Sequence, residues 1–248
     1  MSGPDSPRIT ALKRQWEVNR KAQKKVRVVN GKVEIYETIP AADLETILAA
    51  ATVAEKAMAL ATAQVGQKIE GHGVFIGTWE PKDNDGRSLG KIFNMFAAPE
   101  DLTDSFGKPQ TFKYTEALER IASLKNWHGY DGTSYKRDTE LLEALKEGTY
   151  TGGWFIPPRE LMIGKDAQEN MVQPDNLQAH HDKGALRGTF TLATSTRSGC
   201  AIWYWTSTAR ADKRVCFSNI HFANGHEDWN HKDSFELSCR PVRLELKL

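Results

Sequence analysis

The fold is decided by Trp203-Tyr204-Trp205-Thr206-Ser207-Thr208, a stretch of aromatic and β-branched residues that favours a β-strand. It is followed by Phe217 and by Asn224-Gly225, a pair that is typical of tight hairpin turns. The apolar and basic sequence of Leu237–Arg243 predicts a further strand. Together these elements indicate a compact β-rich binding domain in the last third of the chain.

Composition excludes several classes of protein. The 248 residues are 40% hydrophobic, which is enough for a sizeable core, and 33 basic residues nearly balance 32 acidic ones. A balanced charge gives no global field of the kind that nucleic-acid-binding proteins use, so no nucleic-acid partner is expected. No apolar run approaches the ~18 residues of a membrane span, so membrane insertion is not expected. The polar first thirty residues predict no export signal.

The residues that usually carry chemistry form no known catalytic or metal-binding motif. The three cysteines, Cys200, Cys216 and Cys239, show no C-x-x-C spacing, so reduced thiols are expected. Nucleophile elbow, P-loop and Rossmann fingerprints are absent from the sequence, so neither an enzyme nor a cofactor is predicted. Histidines recur every five residues from 221 to 231, a spacing that alternates the faces of a strand. A zinc site would need a purpose-built loop there, and no metal is predicted.

The N-terminal segment is strongly basic. Its acidic residues up to position 30 are only Asp5 and Glu17. The basic residues are Arg8, Lys13, Arg14, Arg20, Lys21, Lys24, Lys25 and Arg27. This pattern is compatible with a solvated basic arm and with a segment that docks onto an acidic partner surface.

A short hairpin and a long helix are predicted to follow the basic arm. Apolar and polar residues alternate from Val26 to Tyr36 around Asn30-Gly31, which is typical of a hairpin. From Ala41 to about Gln67 the chain is Ala-rich and lacks glycine and proline until Gly66, which predicts a helix. Pro40 fits the start of that helix, where a missing N–H costs nothing.

The predicted helix carries a heptad stripe. The stripe consists of Leu44, Ile47, Ala51, Ala54, Met58, Ala61 and Val65. Three repeats of this kind favour self-association, most simply as a homotrimer. The alternative is that the same stripe packs against its own chain.

Further elements are predicted between this helix and the aromatic strand. Strands are expected at residues 71–79 and 93–96, and a short helix is expected to be capped by Asp138 and to end at Gly148. Five other elements follow one another along the chain and are considered together. They are a helix over Thr115–Leu124, the Trp154–Leu161 element with its Pro157-Pro158, the Tyr204–Thr208 strand, Val215-Cys216-Phe217 with Gly225, and the Leu237–Arg243 strand.

These five elements, in this order, resemble a bacterial and phage family of C-type-lectin-like domains, of the type found at the C terminus of a Legionella collagen-like adhesin. The match covers residues 112–243. Two segments depart from the family pattern, an extra stretch at Asn126–Tyr150 and a long loop at Lys165–Gly188. Both are expected to elaborate the rim of the domain.

The resemblance implies a C-type-lectin-like domain and leaves the first 110 residues unexplained. Together with the basic arm and the Ala-rich oligomerisation helix that the residues themselves predict, it gives an α+β fold in which this domain follows the arm and the helix. Residues 1–70 would form the anchoring and oligomerisation region, which would contact virion or surface assembly proteins, and residues 71–248 the lectin-like domain. The implied function is non-enzymatic recognition of a cell-surface glycan or protein by a phage fibre or virion decoration. The implied location is the virion, after assembly in the host cytoplasm, and the alternative is the cytoplasm.

Three alternatives remain open at this point. The chain could be a purely structural virion or assembly protein, or a variable receptor diversified by a retroelement, since such receptors have a similar fold. More distantly, the fold resembles the formylglycine-generating oxidases, which depend on a reactive cysteine pair. Cys216 and Cys239 lie at ordinary alternating strand positions, where a cysteine is usually a small apolar residue, so this enzyme is the least favoured alternative.

In such domains the exposed side chains between the terminal strands meet the ligand. The corresponding residues are Arg210, Asp212, Lys213, Asn219, His221, Glu227, Asp228, Trp229, Asn230 and His231. All neighbours of Trp229 are polar, which favours an indole that faces solvent or a partner, and the alternative is an indole that caps the sheet edge. Trp203 and Trp205 lie two residues apart on one strand face and are expected to be core.

Overall fold

The computed structural model divides the chain into two units, Met1–Ala63 and Gln64–Leu248. It describes residues 10, 13–14, 24–29, 32–37, 41–83, 86–166, 170–181, 183–190, 203–213, 215–222 and 224–247. Most of the predicted basic arm, the Asn30-Gly31 turn and Cys200 therefore lie outside the described residues. None of the helices in the described part of the chain has the length and apolar character needed to cross a bilayer.

The first unit contains a hairpin and a helix. Strands β1 (Lys24–Val29) and β2 (Lys32–Glu37) pair antiparallel, and Val29 lies opposite Lys32. This register confirms the predicted hairpin, because two residues are left to connect the strands. Helix α1 spans Ala41–Ala61.

Val65 does not continue the heptad stripe, so that part of the prediction is wrong. Helix α1 ends at Ala61, and Val65 lies in the second unit. The last turn tightens as the Ala63 N–H donates to the carbonyl of Leu60 (3.3 Å), and Gly66 then adopts a positive φ of 84°. The other stripe residues lie on α1. Among those whose burial is described, Ile47 and Ala51 are half-buried, while Ala54, Met58 and Ala61 are exposed.

The second unit is a mixed α/β structure with two antiparallel sheets, which agrees with the predicted α+β class. One sheet has the order β3-β4-β5-β9 and the other β6-β7-β8. The strands are β3 (Lys68–Ile69), β4 (Gly73–Trp79), β5 (Phe93–Ala97), β6 (Trp203–Ala209), β7 (Cys216–His221), β8 (His226–His231) and β9 (Val242–Leu246). The helices are α2 (Tyr114–Ala122), α3 (Asp138–Glu147), α4 (Arg159–Ile163) and α5 (Leu177–His180), followed by a 3₁₀ turn at Gly184–Leu186.

Helix α3 differs from its prediction at one end. Its N-cap is Arg137, and Asp138 is the first helical residue, so the prediction that Asp138 is the cap is wrong. The Asp138 carboxylate nevertheless accepts the N–H of Thr139 (2.8 Å), where negative charge suits the positive end of the helix. The other end is confirmed, because Gly148 closes the helix in the left-handed conformation (φ 75°).

The three-stranded sheet lies between two hydrophobic clusters. Along β6, Tyr204 enters one cluster with Ile220 and Leu244, whereas Trp205 enters the other with Phe217. Because successive strand residues point to opposite faces, a strand covered on both sides buries both of them. Trp205 is fully buried, as predicted. Trp203 is half-buried and packs at the margin of the second cluster.

The inserted segments contribute to the core, so the prediction that they only elaborate a rim is wrong. In the first, Leu141 and Leu145 of α3 are buried in the same cluster as Tyr204. In the second, Leu177 and Leu186 are fully buried there. These leucines lie in two short helices and a 3₁₀ turn, each of which buries its apolar side chains against the core.

A buried ion pair ties the end of the chain to the first sheet. Arg240 and Asp101 lie 2.8 Å apart with side chains 0% and 1% exposed. Arg240 also donates to the carbonyl oxygens of Ala98 (2.9 Å) and Thr189 (2.6 Å), and the other carboxylate oxygen of Asp101 accepts from the Tyr204 hydroxyl (2.9 Å). The arrangement satisfies both charges without water.

A second network surrounds Arg243 of β9. Its guanidinium lies 3.5 Å from the ring centre of Tyr130 and 2.7 Å from Glu245. The same carboxylate oxygen contacts Nδ1 of His72 (2.8 Å) and accepts from the Tyr130 hydroxyl (3.1 Å). Burial alone would raise the pKa of Glu245, but the hydrogen bond from His72 and the charge of Arg243 lower it to about 2.

The Glu245→Gln substitution is expected to remove part of the acid sensitivity of folding. The pKa of Glu245 is depressed in the folded chain, so its contribution is complete above pH ~4.5 and is lost as the pH falls toward 2. The difference between variant and wild type should reach at most about 3 kcal/mol near neutral pH and vanish near pH 2. Urea unfolding at several pH values measures it. A difference that does not change with pH would contradict the role of this carboxylate.

Candidate functional site

Predicted ligand residues gather at one end of the three-stranded sheet, in the turn that joins β6 to β7. We call Arg210–Lys213 the recognition turn. The Arg210 N–H donates to the carbonyl of Cys216 (2.9 Å), and the Cys216 N–H donates to the carbonyl of Lys213 (2.8 Å). Arg210 and Asp212 form an exposed ion pair (2.7 Å). The turn therefore presents Arg210, Asp212 and Lys213 to solvent from a hydrogen-bonded base.

The segment Glu227–His231 is itself part of a strand, so the expectation that these side chains lie between strands is wrong. It belongs to β8, which pairs with β7 along its whole length and forms the edge of the sheet in the described chain. Asp228 and His231 are exposed, and Asn230 is half-buried. Polar side chains at an edge strand keep other strands from pairing with it.

Asn219 is buried, so the expectation that its side chain meets solvent is wrong. It lies on the central strand β7 between Trp205 and Asp228, and its Nδ2 donates to the carbonyl of Asp228 (3.2 Å). His221, at the far end of β7, is half-buried, and its ring centre lies 5.1 Å from that of Trp203. Neither side chain reaches the recognition turn, because strand residues rise by about 3.3 Å each.

Glu227 anchors β8 to the core. Its carboxylate lies 2.8 Å from Nη2 of Arg159, the first residue of α4, and is only 14% exposed. Its other oxygen accepts from the Ser218 hydroxyl. The expectation of an exposed ligand contact is therefore wrong for Glu227. A buried carboxylate with a cationic partner keeps the edge strand in place.

Trp229 is half-buried on the edge strand. It lies opposite Ser218, and its backbone N–H donates to the carboxylate of Asp228 (2.7 Å). Part of the indole remains available to a partner. The backbone N–H of Trp229 is therefore already hydrogen-bonded to Asp228 and is not available to pair with a further strand.

A cleft lies beside the recognition turn, between α2, the segment before α3 and the start of β7. Its volume is about 460 Å³. We call it the α2 cleft, and its lining is Tyr114, Thr115, Leu118, Glu119, Ala122, Ser134, Lys136, Arg137, Glu140, Val215, Phe217 and Lys232. The rings of Tyr114 and Phe217 stack at 3.8 Å beneath it, and Val215 is 45% exposed. The floor is apolar and the rim is charged.

The walls of the α2 cleft are held by hydrogen bonds. The Tyr114 hydroxyl donates to the carbonyl of Lys136 (3.0 Å), and burial raises the pKa of Tyr114, so the hydroxyl stays neutral and keeps donating. The Lys136 N–H donates to the carboxylate of Glu140 (2.7 Å). At the other wall the Lys232 N–H donates to the carbonyl of Val215 (2.9 Å). The cleft is thus formed before any ligand arrives.

The α2 cleft and the predicted residues share one end of the sheet. Lys232 follows His231 at the end of β8, and His231 lies opposite Cys216, whose N–H bonds to Lys213. The ligand residues of the recognition turn therefore extend the rim of the cleft. Sequence reasoning missed the cleft itself, because its lining comes from separate segments of the chain. The amphipathic pattern of α2 was the one available signal.

The two cysteines within the described residues are not joined to each other. Cys216 and Cys239 are both free thiols. Cys239 is fully buried, and burial raises the pKa of its thiol, so it stays protonated and inert. Cys216 is half-buried at the start of β7.

The histidines of β7 and β8 do not converge. His221 and His226 lie opposite each other at one end of the strand pair, whereas His231 lies opposite Cys216 at the other end. Within the residues that the structure describes, no group of three histidine, cysteine or acidic side chains is placed to hold a metal ion.

A scan against models of protein families finds none that matches the chain, and a search of curated proteins finds no significant match. The resemblance to C-type-lectin-like domains therefore stays a prediction that rests on the five sequence elements.

Proposed function

We propose that this chain is a non-enzymatic recognition protein of a virion, such as a phage fibre or decoration component. Its second unit would bind a cell-surface glycan or protein through the α2 cleft and the recognition turn. The observation that carries the proposal is the cleft, which has an apolar floor and a charged rim next to Arg210–Lys213. Pockets of this composition suit ligands with an apolar body and a few directional polar groups.

The chemistry of the cleft favours a ligand of mixed polarity. Val215 and Leu118 offer apolar area for the face of a sugar ring or an aliphatic side chain. Lys136, Arg137 and Lys232 supply hydrogen-bond donors around it. Since the walls are already hydrogen-bonded, binding costs little conformational entropy.

Display as an oligomer would strengthen such binding. In this proposal the first unit self-associates, most simply as a trimer, through the α1 stripe up to Ala61, and its basic segment contacts assembly proteins. Weak individual sites then act together, because the second binding event becomes intramolecular.

The proposal is tested by binding of the labelled full-length chain to a glycan array and to whole bacterial cells. Val215→Glu places a charge on the apolar floor, and Lys232→Glu inverts a rim charge. Each is expected to reduce binding by about tenfold or more, which corresponds to about 1.4 kcal/mol. Lys125→Ala, at an exposed lysine outside the cleft, is the control and should bind like wild type.

One outcome separates recognition from a purely structural role. If the chain is incorporated normally into particles and binds no cell and no glycan, the recognition proposal fails. If the chain binds and both cleft variants bind as tightly as wild type, the ligand site lies elsewhere on the chain.

A further inference from the structure

A second surface of the unit presents an exposed aromatic side chain. Phe106 is 87% exposed, the highest value among the large hydrophobic residues in the described chain. It lies at the tip of the loop between β5 and α2. An exposed phenylalanine ring offers about 200 Å² of apolar contact area to a partner.

The loop that carries Phe106 is held rigidly. The carboxylate of Asp104 accepts the N–H groups of Phe106 (2.8 Å) and Lys108 (2.9 Å), and the Asp104 N–H donates to the carbonyl of Lys108 (2.8 Å). Arg120 of α2 donates to the carbonyls of Thr103 (2.6 Å) and Asp104 (2.9 Å). The aromatic ring is therefore presented by a preformed turn, which lowers the entropy cost of docking.

A groove with acidic walls adjoins this loop. Its volume is about 530 Å³, and it is lined by Gln110, Phe112, Glu116, Glu119, Arg120, Ser123 and Glu236. The guanidinium of Arg120 donates to the loop carbonyls and to the Ser123 hydroxyl (3.1 Å), and it places one positive charge among three carboxylates. The other charged groups of the lining are the exposed carboxylates of Glu116, Glu119 and Glu236, of which Glu116 also accepts the backbone N–H of Lys113 (3.1 Å).

We infer that Phe106 and the acidic groove form a docking surface for a protein segment that combines basic and apolar side chains. Apolar side chains of the partner pack on the Phe106 ring, and its lysines or arginines pair with the groove carboxylates. Neither the Phe106 ring nor the acidic groove alone would define the partner. Together they do, because the carboxylates favour a basic segment by charge complementarity and the ring packs against an apolar side chain of that segment.

This surface is separate from the α2 cleft. The two cavities lie on different flanks of α2, and of their lining residues only Glu119 is shared. Variants of Phe106 and Glu236 therefore test the docking surface without touching the cleft. Success or failure here is independent of the proposed recognition function.

The test selects a random-peptide display library on the full-length chain, with parallel selection on Phe106→Ser and Glu236→Lys. Wild type should enrich peptides that carry lysine or arginine together with aliphatic or aromatic residues. The enriched peptides should bind Phe106→Ser about tenfold more weakly. They should also lose affinity at an ionic strength of about 1 M, where the Debye length falls to about 3 Å. Met171→Ser removes another exposed apolar side chain and should leave peptide binding unchanged.

Several results would overturn the inference. Enrichment of acidic or uncharged peptides, or no enrichment over the Phe106→Ser chain, would do so. Self-association that Phe106→Ser abolishes would assign the surface to a second copy, and Phe106-dependent binding to phosphatidylcholine vesicles would assign it to a membrane. Glu236→Lys keeps the test valid if Phe106→Ser changes stability, because an exposed glutamate contributes little to folding.

Discussion

The Arg240→Leu substitution is expected to lower the free energy of unfolding by about 3–5 kcal/mol. The side chains of Arg240 and Asp101 are essentially inaccessible to water and lie 2.8 Å apart. Leucine replaces the cation with an apolar group of smaller size and leaves the carboxylate of Asp101 buried without its counter-charge. Urea denaturation of the full-length chain, followed by circular dichroism, measures the loss.

The double variant Arg240→Leu, Asp101→Asn is the control for this explanation. A neutral asparagine still accepts from the Tyr204 hydroxyl, which bonds Asp101 in the wild type (2.9 Å), but leaves no buried charge. The double variant should therefore be more stable than Arg240→Leu alone. If both are equally unstable, lost packing and not the uncompensated charge explains the effect.

The two tryptophans of the three-stranded sheet are expected to respond differently to truncation. Trp205→Ala should cost about 3–5 kcal/mol, because the indole is fully buried and its N–H donates to the carbonyl of Phe112 (2.8 Å). Trp229→Ala, at the half-buried edge position, should cost about 1 kcal/mol or less. Thermal and urea unfolding compare the two variants directly.

Ligand binding by the Trp205 and Trp229 variants complements the stability measurement. If the recognition proposal holds, Trp229→Ala should reduce binding to cells or glycans while the chain stays folded at the assay temperature. Equal stability losses in both variants would contradict the assignment of Trp205 as scaffold and Trp229 as surface. Unchanged binding by Trp229→Ala would remove this residue from the recognition surface.

Local patterns predicted the elements of the fold well, because the periodicity of a strand or a helix is visible in residues that are neighbours in sequence. The aromatic strand, the hairpin at Val26–Tyr36, the helix α2 and the Gly148 stop all follow from such patterns. The predicted oligomerisation stripe extended too far, because the helix ends at Ala61 although no glycine or proline occurs before Gly66.

Site residues were predicted less well, because exposure depends on partners that are distant in sequence. Asn219 and Glu227 resemble surface residues in their polar context, but one lies on a strand covered on both faces and the other meets Arg159. The lining of the α2 cleft comes from separate segments of the chain, so no single stretch of sequence predicts it. Phe106 is exposed in a loop that Asp104 and Arg120 hold by hydrogen bonds to residues distant from Arg120 in sequence.

The pairing of β9 with β5 has a consequence for biosynthesis. On the ribosome, β5 emerges long before Val242–Leu246, by a delay on the order of ten seconds at typical elongation rates. Until β9 arrives, Phe93–Ala97 has an open edge in the nascent chain, and a buried, apolar strand with an open edge is a site for aggregation. We therefore expect chaperones to bind the nascent second unit until β9 has been translated.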